Sequence, residues 1–322
     1  MRILLAPMEG VVDYWVRDLL TGIGGIDQCV TEFVRVTQQR LPRRVFLRLA
    51  PEIAHGNCTA AGVPVKLQLL GGNASAMAEN ARRAVRAGAN AIDINFGCPA
   101  KTVNKSDGGA CLLRTPERLY QIVSAVREAL PDNVSVSAKI RLGYEEREGY
   151  LDTARAIDNA GANELVVHAR SKADGYRPPA YWDAIAEIAA TVSMPVVANG
   201  EVWSLEDYRH CRQRSGCADV MLGRGLLARP DLGKIIHAHQ RGEEYTPMAW
   251  PEILALLHHY YHISLTTYPQ KYAGNRIKQW LVYLQRNYAE AKLFFEQIKR
   301  EREPKRLEQA FTEQRHHFQA VS

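Results

Sequence analysis

Eight short apolar runs recur through the first two thirds of the chain: RILLAPM, QCVTEFV, VPVKLQLL, AIDINF, VSVSAKI, ELVVHA, PVVANG and ADVMLG. They are rich in β-branched residues and nearly continuous, as strands buried on both faces must be. Longer amphipathic stretches lie between them, among them SAMAENARRAVRAGA, TPERLYQIVSAVREAL and LEDYRHCRQRSG. Several of these open near Ser, Thr or Asp and close at Gly, the residues that begin and end helices. Eight such strand–helix units predict a parallel (β/α)8 TIM barrel. A doubly wound open sheet fits less well, because no GxGxxG follows the first run. After the barrel, PEILALLHHYYHISL and NRIKQWLVYLQRNYAEAKLFFEQIKR carry helical periodicity. The chain therefore divides into an α/β barrel over residues 1–240 and a smaller all-α domain over residues 241–322.

At 322 residues the chain exceeds the usual size of one domain, and its 46% hydrophobic and 24% charged residues are those of a soluble globular protein. The opening MRILLAPMEG has only a short apolar run before a proline and a glutamate, which is neither a secretory signal nor a membrane span. A cytoplasmic protein, monomeric and without membrane contact, is expected. The six cysteines, Cys29, Cys58, Cys98, Cys111, Cys211 and Cys217, form no CxxC pair and no short Cys/His cluster. That argues against a disulfide framework and against structural zinc.

In a barrel of this kind chemistry gathers at the C-terminal strand ends. Here those positions hold Met8 and Glu9, Arg35, Gln68, Asn95 to Cys98, Lys139 and Arg141, His168, Asn199 to Glu201, and Gly223 with Arg224. Most are polar or reactive, whereas the N-terminal ends of the runs open on apolar or small residues. Asn199-Gly200 and Gly223-Arg224-Gly225 follow the seventh and eighth runs, where such barrels hold a phosphate. Glycine lets backbone N–H groups approach an anion, and Arg224 adds charge. Elsewhere in a chain, GRG would read as a turn glycine beside a surface arginine.

Lys139 and His168 close the fifth and sixth runs, where a cationic or proton-donating group stabilises the electron-rich edge of a reduced flavin. Taken singly, they read equally as a snorkelling lysine and a hydrogen-bonded histidine. With Gln68 as an amide that meets a ring's donors and acceptors, the set describes a phosphorylated heterocycle. Flavin mononucleotide (FMN) fits that description and so does a phosphosugar; composition does not separate them.

The motifs APMEGV (6–11), TEFVRV (31–36), QLLG (68–71), INFGCP (94–99) with GGACLL (108–113), KIRLG (139–143), VVHAR (166–170), ANGE (198–201) and LGRG (222–225) follow one another in order along the barrel. This ordered set resembles the tRNA-dihydrouridine synthases, and TEFVRV with RIKQW (276–280) is most similar to their bacterial C-type subfamily. The resemblance implies an FMN enzyme that uses NADPH to reduce a uridine of the tRNA D-loop to 5,6-dihydrouridine, at tRNA position 16. It also implies that Pro7, Met8 and Glu9 form the first FMN-contacting turn and that Gln68 and Lys139 contact the ring system. Asn199, Gly200, Glu201, Gly223 and Arg224 match the phosphate and ribityl side. His168 matches as well, although HARS stands here where relatives show HGRT, with Ala169 in place of a glycine.

The resemblance further assigns Cys98 as the proton donor. Hydride addition to the C5=C6 bond of uracil leaves negative charge at C5, and that carbon must then be protonated. A thiol with an ordinary pKa of about 8.5 is protonated at neutral pH yet gives up its proton readily; a strongly depressed pKa would hinder it. The polar loop with Gly108 and Gly109 reads as the segment that carries Cys98 over the base. On its own a free cysteine is a small buried hydrophobe, and Cys111, in the apolar GACLL, is read as one.

From Lys271 to Arg306 there are ten Lys/Arg and four Glu, a net of +6, equal to the net charge of the whole chain. A localised basic segment interleaved with Tyr272, Trp280, Tyr283 and Tyr288 suits RNA, since cations neutralise phosphates and rings stack on exposed bases. Arg276 and Lys278 near the start of the second long helix, with Lys299 in its last turns, are candidate RNA contacts. Arg35, Asn95 and Tyr176 are candidates for the track toward the flavin. His258 and His262 stand at i and i+4, a metal-ligand spacing, but no third ligand is evident in the sequence, and no metal is expected. Two other readings remain: an FMN barrel acting on a free pyrimidine, which leaves the basic segment without a purpose, and a non-catalytic RNA-binding barrel.

Overall fold

The structure is a computed structural model and describes residues 1–147 and 149–319. Its strands are β1 (Ile3–Leu5), β2 (Gln28–Val30), β3 (Val34–Arg35), β4 (Val65–Leu70), β5 (Ala91–Asn95), β6 (Ser135–Arg141), β7 (Glu164–His168), β8 (Val196–Asn199) and β9 (Asp219–Leu222). The second apolar run is broken into β2 and β3, so eight runs give nine strands. All pair in parallel in the order β2-β1-β9-β8-β7-β6-β5-β4-β3, and β2 also pairs with β4, which closes the ring. The ring closes through β2 and β4, and the short β3 lies against β4 alone. The helices between strands begin and end as their sequences require. Asn73 accepts the amide of Ala76 ahead of helix Ala74–Ala87, which stops at Gly88 with φ 116°. Ser204 caps helix Leu205–Ser215, which stops at Gly216 with φ 66°.

The barrel interior is divided. Leu4, Ala6, Val30, Val166, Val197 and Met221 form one apolar cluster. The rest is polar: Lys66 on β4 reaches Glu164 on β7 at 2.7 Å. These two strands are not neighbours, so the bond crosses the lumen. Glu164 also pairs with Arg2, whose Nε donates to Asp219 at 2.7 Å. Removing one partner of such a buried pair strands the other charge, at a cost of roughly 3–5 kcal/mol.

The chain forms two compact units, Met1–Tyr14 with Ile26–Gly223, and Trp15–Gly25 with Arg224–Ser322. Among the described residues the second contains helices Leu232–Arg241, Trp250–Thr267, Gln270–Leu284, Ala289–Ile298 and Pro304–Gln319. Its core is aromatic: Tyr261 stacks on Phe311 at 5.5 Å, and Trp280 meets Tyr260 edge-on at 5.7 Å while donating to the carbonyl of Leu227 at 3.0 Å. The basic stretch read as one helix is two. Between them Asn287 donates to the carbonyl of Ala228 at 2.9 Å, and Tyr288 is buried with its hydroxyl on the carbonyl of Met248 at 3.2 Å. Lys299 thus caps a separate helix rather than lying in the last turns of the one that bears Arg276 and Lys278.

Gly25 and Gly233 bring the backbone of the N-terminal segment against helix Leu232–Arg241. A Cβ on Gly233 would lie 2.1 Å from the carbonyl oxygen of Gly25. The alanine variant Gly233→Ala should therefore lower stability by about 1–3 kcal/mol, read as a drop in the denaturant midpoint of the second unit.

Candidate active site

β5 ends at Asn95, and the chain then turns sharply. The side-chain oxygen of Asn95 accepts the amides of Gly97 and Cys98, both at 2.9 Å, while Arg141 at the end of β6 donates to the carbonyl of Gly97 at 2.9 Å. The carbonyl of Cys98 accepts from the amide of Ala110 at 3.1 Å and from Asn104 at 2.9 Å. The stretch after Cys98, read from sequence as a loop, is a short helix Lys101–Lys105 and a 3-10 turn Gly109–Arg114. Gly109 has φ 67°, and a Cβ there would come within 2.8 Å of the Cys98 carbonyl oxygen, so only glycine allows this approach. Cys98 is 8% exposed and packs with Leu70, Val103, Phe33 and Ala100. Burial pushes its thiol above the ordinary range; Glu9 adds to the rise, and Arg141 and Arg35 oppose it. Ends of β1, β3, β5 and β6 thus share one electrostatic neighbourhood.

On the other side of the same rim, Lys139 of β6 donates to Asn199 of β8 at 2.9 Å, and the Asn199 amide donates to the carbonyl of Met221 at 2.8 Å. Burial, with a smaller contribution from Arg141, pushes the Lys139 ammonium down to about 7. His168 ends β7 and meets the ring of Tyr176 edge-on at 6.0 Å; the Arg141 guanidinium stands 5.3 Å from the same ring. Gly200 has φ 117° and lies against the His168 ring, which a Cβ would reach at 3.4 Å. Glu201 follows at φ 60°, held by the fully buried guanidinium of Arg170 at 2.6 Å. Gly223 lies over Ala6 and the Met8 sulfur, each 3.4 Å from where its Cβ would be. Pro7 and Met8 are half-buried and Glu9 is exposed. Arg224, next in the chain, begins the second unit.

The remaining predicted residues stand as follows. Gln68 is fully buried with its amide between Asp93 and Asn95. Arg35 is half-buried and donates to the carbonyl of Thr102 at 3.4 Å, and Tyr176 is 53% exposed. In the second unit Arg276 lies 5.2 Å from the Tyr268 ring, Lys278 donates to the carbonyl of Glu301, and Lys299 pairs with Glu296. Trp280 and Tyr288 are core residues and Tyr272 is exposed.

The His258–His262 pair does meet a third group, which the sequence reading missed. Glu308 accepts from His258 at 2.7 Å and from His262 at 3.0 Å. Arg315 lies 2.7 Å from Nδ1 of His258, which places the histidine proton on Nε2, the reverse of what a metal at that nitrogen needs. Cys111 is half-buried rather than a core residue, with its thiol on the carbonyl of Gly108 at 3.3 Å. Sequence reasoning also missed the buried Lys66, Asp93, Ser137, Glu164 and Arg170.

A closed parallel barrel whose polar side chains converge at the C-terminal strand ends, with bare glycine backbone after β8 and β9, defines a TIM-barrel protein built to act on a ligand at its mouth. Residues 4–317 match the family described as dihydrouridine synthase (Dus). A tRNA-dihydrouridine(16) synthase of Pseudomonas syringae pv. tomato is 52% identical over 95% of this chain and 97% of its own. Another, from Shewanella oneidensis, is 45% identical over 99% of each chain. Among solved structures, histamine dehydrogenase from Rhizobium sp. 4-9 shares the barrel with a TM-score of 0.56 at 14% identity, covering 75% of this chain and 46% of that one. The chain belongs to the dihydrouridine synthase family. No helix among the described residues is long and apolar enough to cross a membrane.

The lowered Lys139 has a measurable consequence. Between about pH 7 and pH 10.5 the unfolded chain holds a lysine proton that the folded chain has released, so stability should rise with pH across that window. In protein stripped of bound ligands, Lys139→Met should flatten this rise, read from chemical denaturation at pH 7, 8.5 and 10.

Proposed function

We propose that this chain reduces the C5=C6 bond of a uridine in tRNA to 5,6-dihydrouridine, with FMN as cofactor and NADPH as reductant. The target we propose is the D-loop uridine at position 16, the position in the names of the relatives above. The donor set fits FMN. Gly200 and Gly223 leave the backbone bare where a phosphate would be received, with Asn199, Glu201 and Arg224 on the phosphate and ribityl side. Pro7, Met8 and Glu9 form the adjoining turn, and Gln68, Lys139 and His168 would face the ring. Reduced FMN, when bound, supplies hydride to the uracil.

The observation that carries the reading is the Cys98 thiol, held at the mouth and kept protonated by burial. Charge left at C5 of the base, conjugated to its C4 carbonyl, is quenched by the Cys98 proton, so a thiol pKa above neutrality is what the step requires. Tyr176, more than half exposed beside His168 and Arg141, offers a face to a base taken out of its stack. Arg35 and Asn95, near Cys98, would extend the track toward the flavin, while Arg276, Lys278 and Lys299 would meet phosphates. On this reading residues 1–240 carry the chemistry and residues 241–322 the grip on RNA, in a monomer working in the cytoplasm.

Cys98→Ala is expected to retain flavin and tRNA affinity and to lose about 10²-fold or more in uridine reduction, measured by single-turnover oxidation of the reduced enzyme by an unmodified tRNA transcript. An unchanged rate would assign the proton to another group. Arg276→Glu should weaken tRNA binding and lower the slope of log affinity against log salt by about 1, with the flavin spectrum unchanged.

A further inference from the structure

A chain of five buried side chains runs inside the barrel to the Cys98 turn. Lys66 lies 3.4 Å from the Ser137 hydroxyl, which donates to one oxygen of Asp93 at 2.7 Å. The other Asp93 oxygen accepts the Gln68 amide at 2.7 Å, and the Gln68 oxygen accepts the Asn95 amide at 2.8 Å. The Asn95 oxygen then takes the backbone N–H groups of Gly97 and Cys98. Asp93 is 1% exposed, and Gln68 and Ser137 are fully buried.

Every link has the same polarity, with donors pointing toward Asp93. An amide has one accepting and one donating end, so its orientation is set by its neighbours. Two backbone N–H groups demand that Asn95 present oxygen to them. Asn95 must then give its NH2 to Gln68, and Gln68 must give its own to residue 93, which has to accept. A carboxylate accepts from both sides at once. Were Gln68 to turn over, two NH2 groups would face each other inside the barrel; were Asn95 to follow, its NH2 would face two N–H groups. The chain therefore holds or fails as a whole.

We infer that Asp93 is a positioning residue for the Cys98 turn, fixing through the Gln68 and Asn95 amides where the backbone of Gly97 and Cys98 is held. The inference rests on the reading of Cys98 as proton donor. An asparagine at 93 offers one acceptor where two donors arrive. Facing Gln68 with its NH2, it turns both amides; facing Ser137 with it, it leaves that hydroxyl between two donors. The first case takes the acceptor from both backbone N–H groups, and the second leaves the Ser137 hydroxyl proton without one.

The test is a double-mutant cycle of Asp93→Asn and Cys98→Ala, read as the single-turnover rate of reduced enzyme with an unmodified tRNA transcript, with flavin reduction by NADPH as the internal control. Asp93→Asn is expected to slow the uridine step about tenfold in the native background, several-fold more than it slows flavin reduction, and to add nothing in the Cys98→Ala background. Equal slowing in both backgrounds would overturn the positioning role while leaving Cys98 as donor. If Cys98→Ala alone does not slow the step, the reading of Cys98 falls and this inference with it. Should Asp93→Asn fail to fold, Ser137→Ala, which keeps the carboxylate and removes one donor to it, is expected to slow the step about threefold with the same dependence on Cys98; no change there, or equal slowing in both backgrounds, overturns the proposal.

Discussion

Lys66 and Glu164 meet inside the barrel, beneath the polar side chains of its mouth, and the layout of that mouth depends on their placement. Two charges are taken out of water, and only their mutual contact, with Arg2 and Ser137 on their flanks, makes this tolerable. A polar floor allows the next layer, Asp93 and Gln68, to be polar as well, because Asp93 accepts the Ser137 hydroxyl that Lys66 reaches and then accepts the Gln68 amide. Asn95, Lys139 and Asn199 follow at the rim. The opposite wall, with Leu4, Val30, Val166 and Met221, stays apolar and supplies the packing. The reactive strand ends are thus the upper surface of a polar half that reaches through the barrel.

Burial acts on Cys98 and Lys139, at the rim, in opposite directions and toward one result. The Cys98 thiol is pushed up and the Lys139 ammonium is pushed down, so each is driven toward its neutral form. A buried site of low effective dielectric strengthens whatever dipoles are fixed in it. The Asn199 and Gln68 amides, immobilised by hydrogen bonds to Met221 and Asp93, are dipoles of this kind.

Much of this was legible in the residues. Continuous β-branched runs announced parallel strands, and polar residues at their C-terminal ends announced the mouth, because a strand exposes its last side chains to whatever the barrel opens on. The lumen was harder to read. Lys66, Asp93, Ser137 and Glu164 lie within the apolar runs, and the signal that could have found them is their spacing: Lys66 with Gln68, Asp93 with Asn95, and Ser137 with Lys139 alternate at period two, one face of a strand. What no local pattern gives is the partner across the ring, since β4 and β7 are far apart in sequence. The break in the basic stretch was missed for a similar reason: Gln285 to Tyr288 are tolerable in a helix, and the turn is made by distant carbonyls at Ala228 and Met248.

Trp15–Gly25 packs with the unit that begins at Arg224. Helix Tyr14–Ile23 leaves the ribosome among the first segments, yet its partners are among the last to be made, about 200 residues and roughly 10–40 s later. Through that interval the helix, with Val16 and Leu20 buried in the finished protein, stands without the rest of its unit. Neither unit is a contiguous stretch of polypeptide, so a cut at Arg224 yields no separable piece: the C-terminal fragment would lack residues 15–25 of its unit, and the N-terminal fragment would carry them without the remainder.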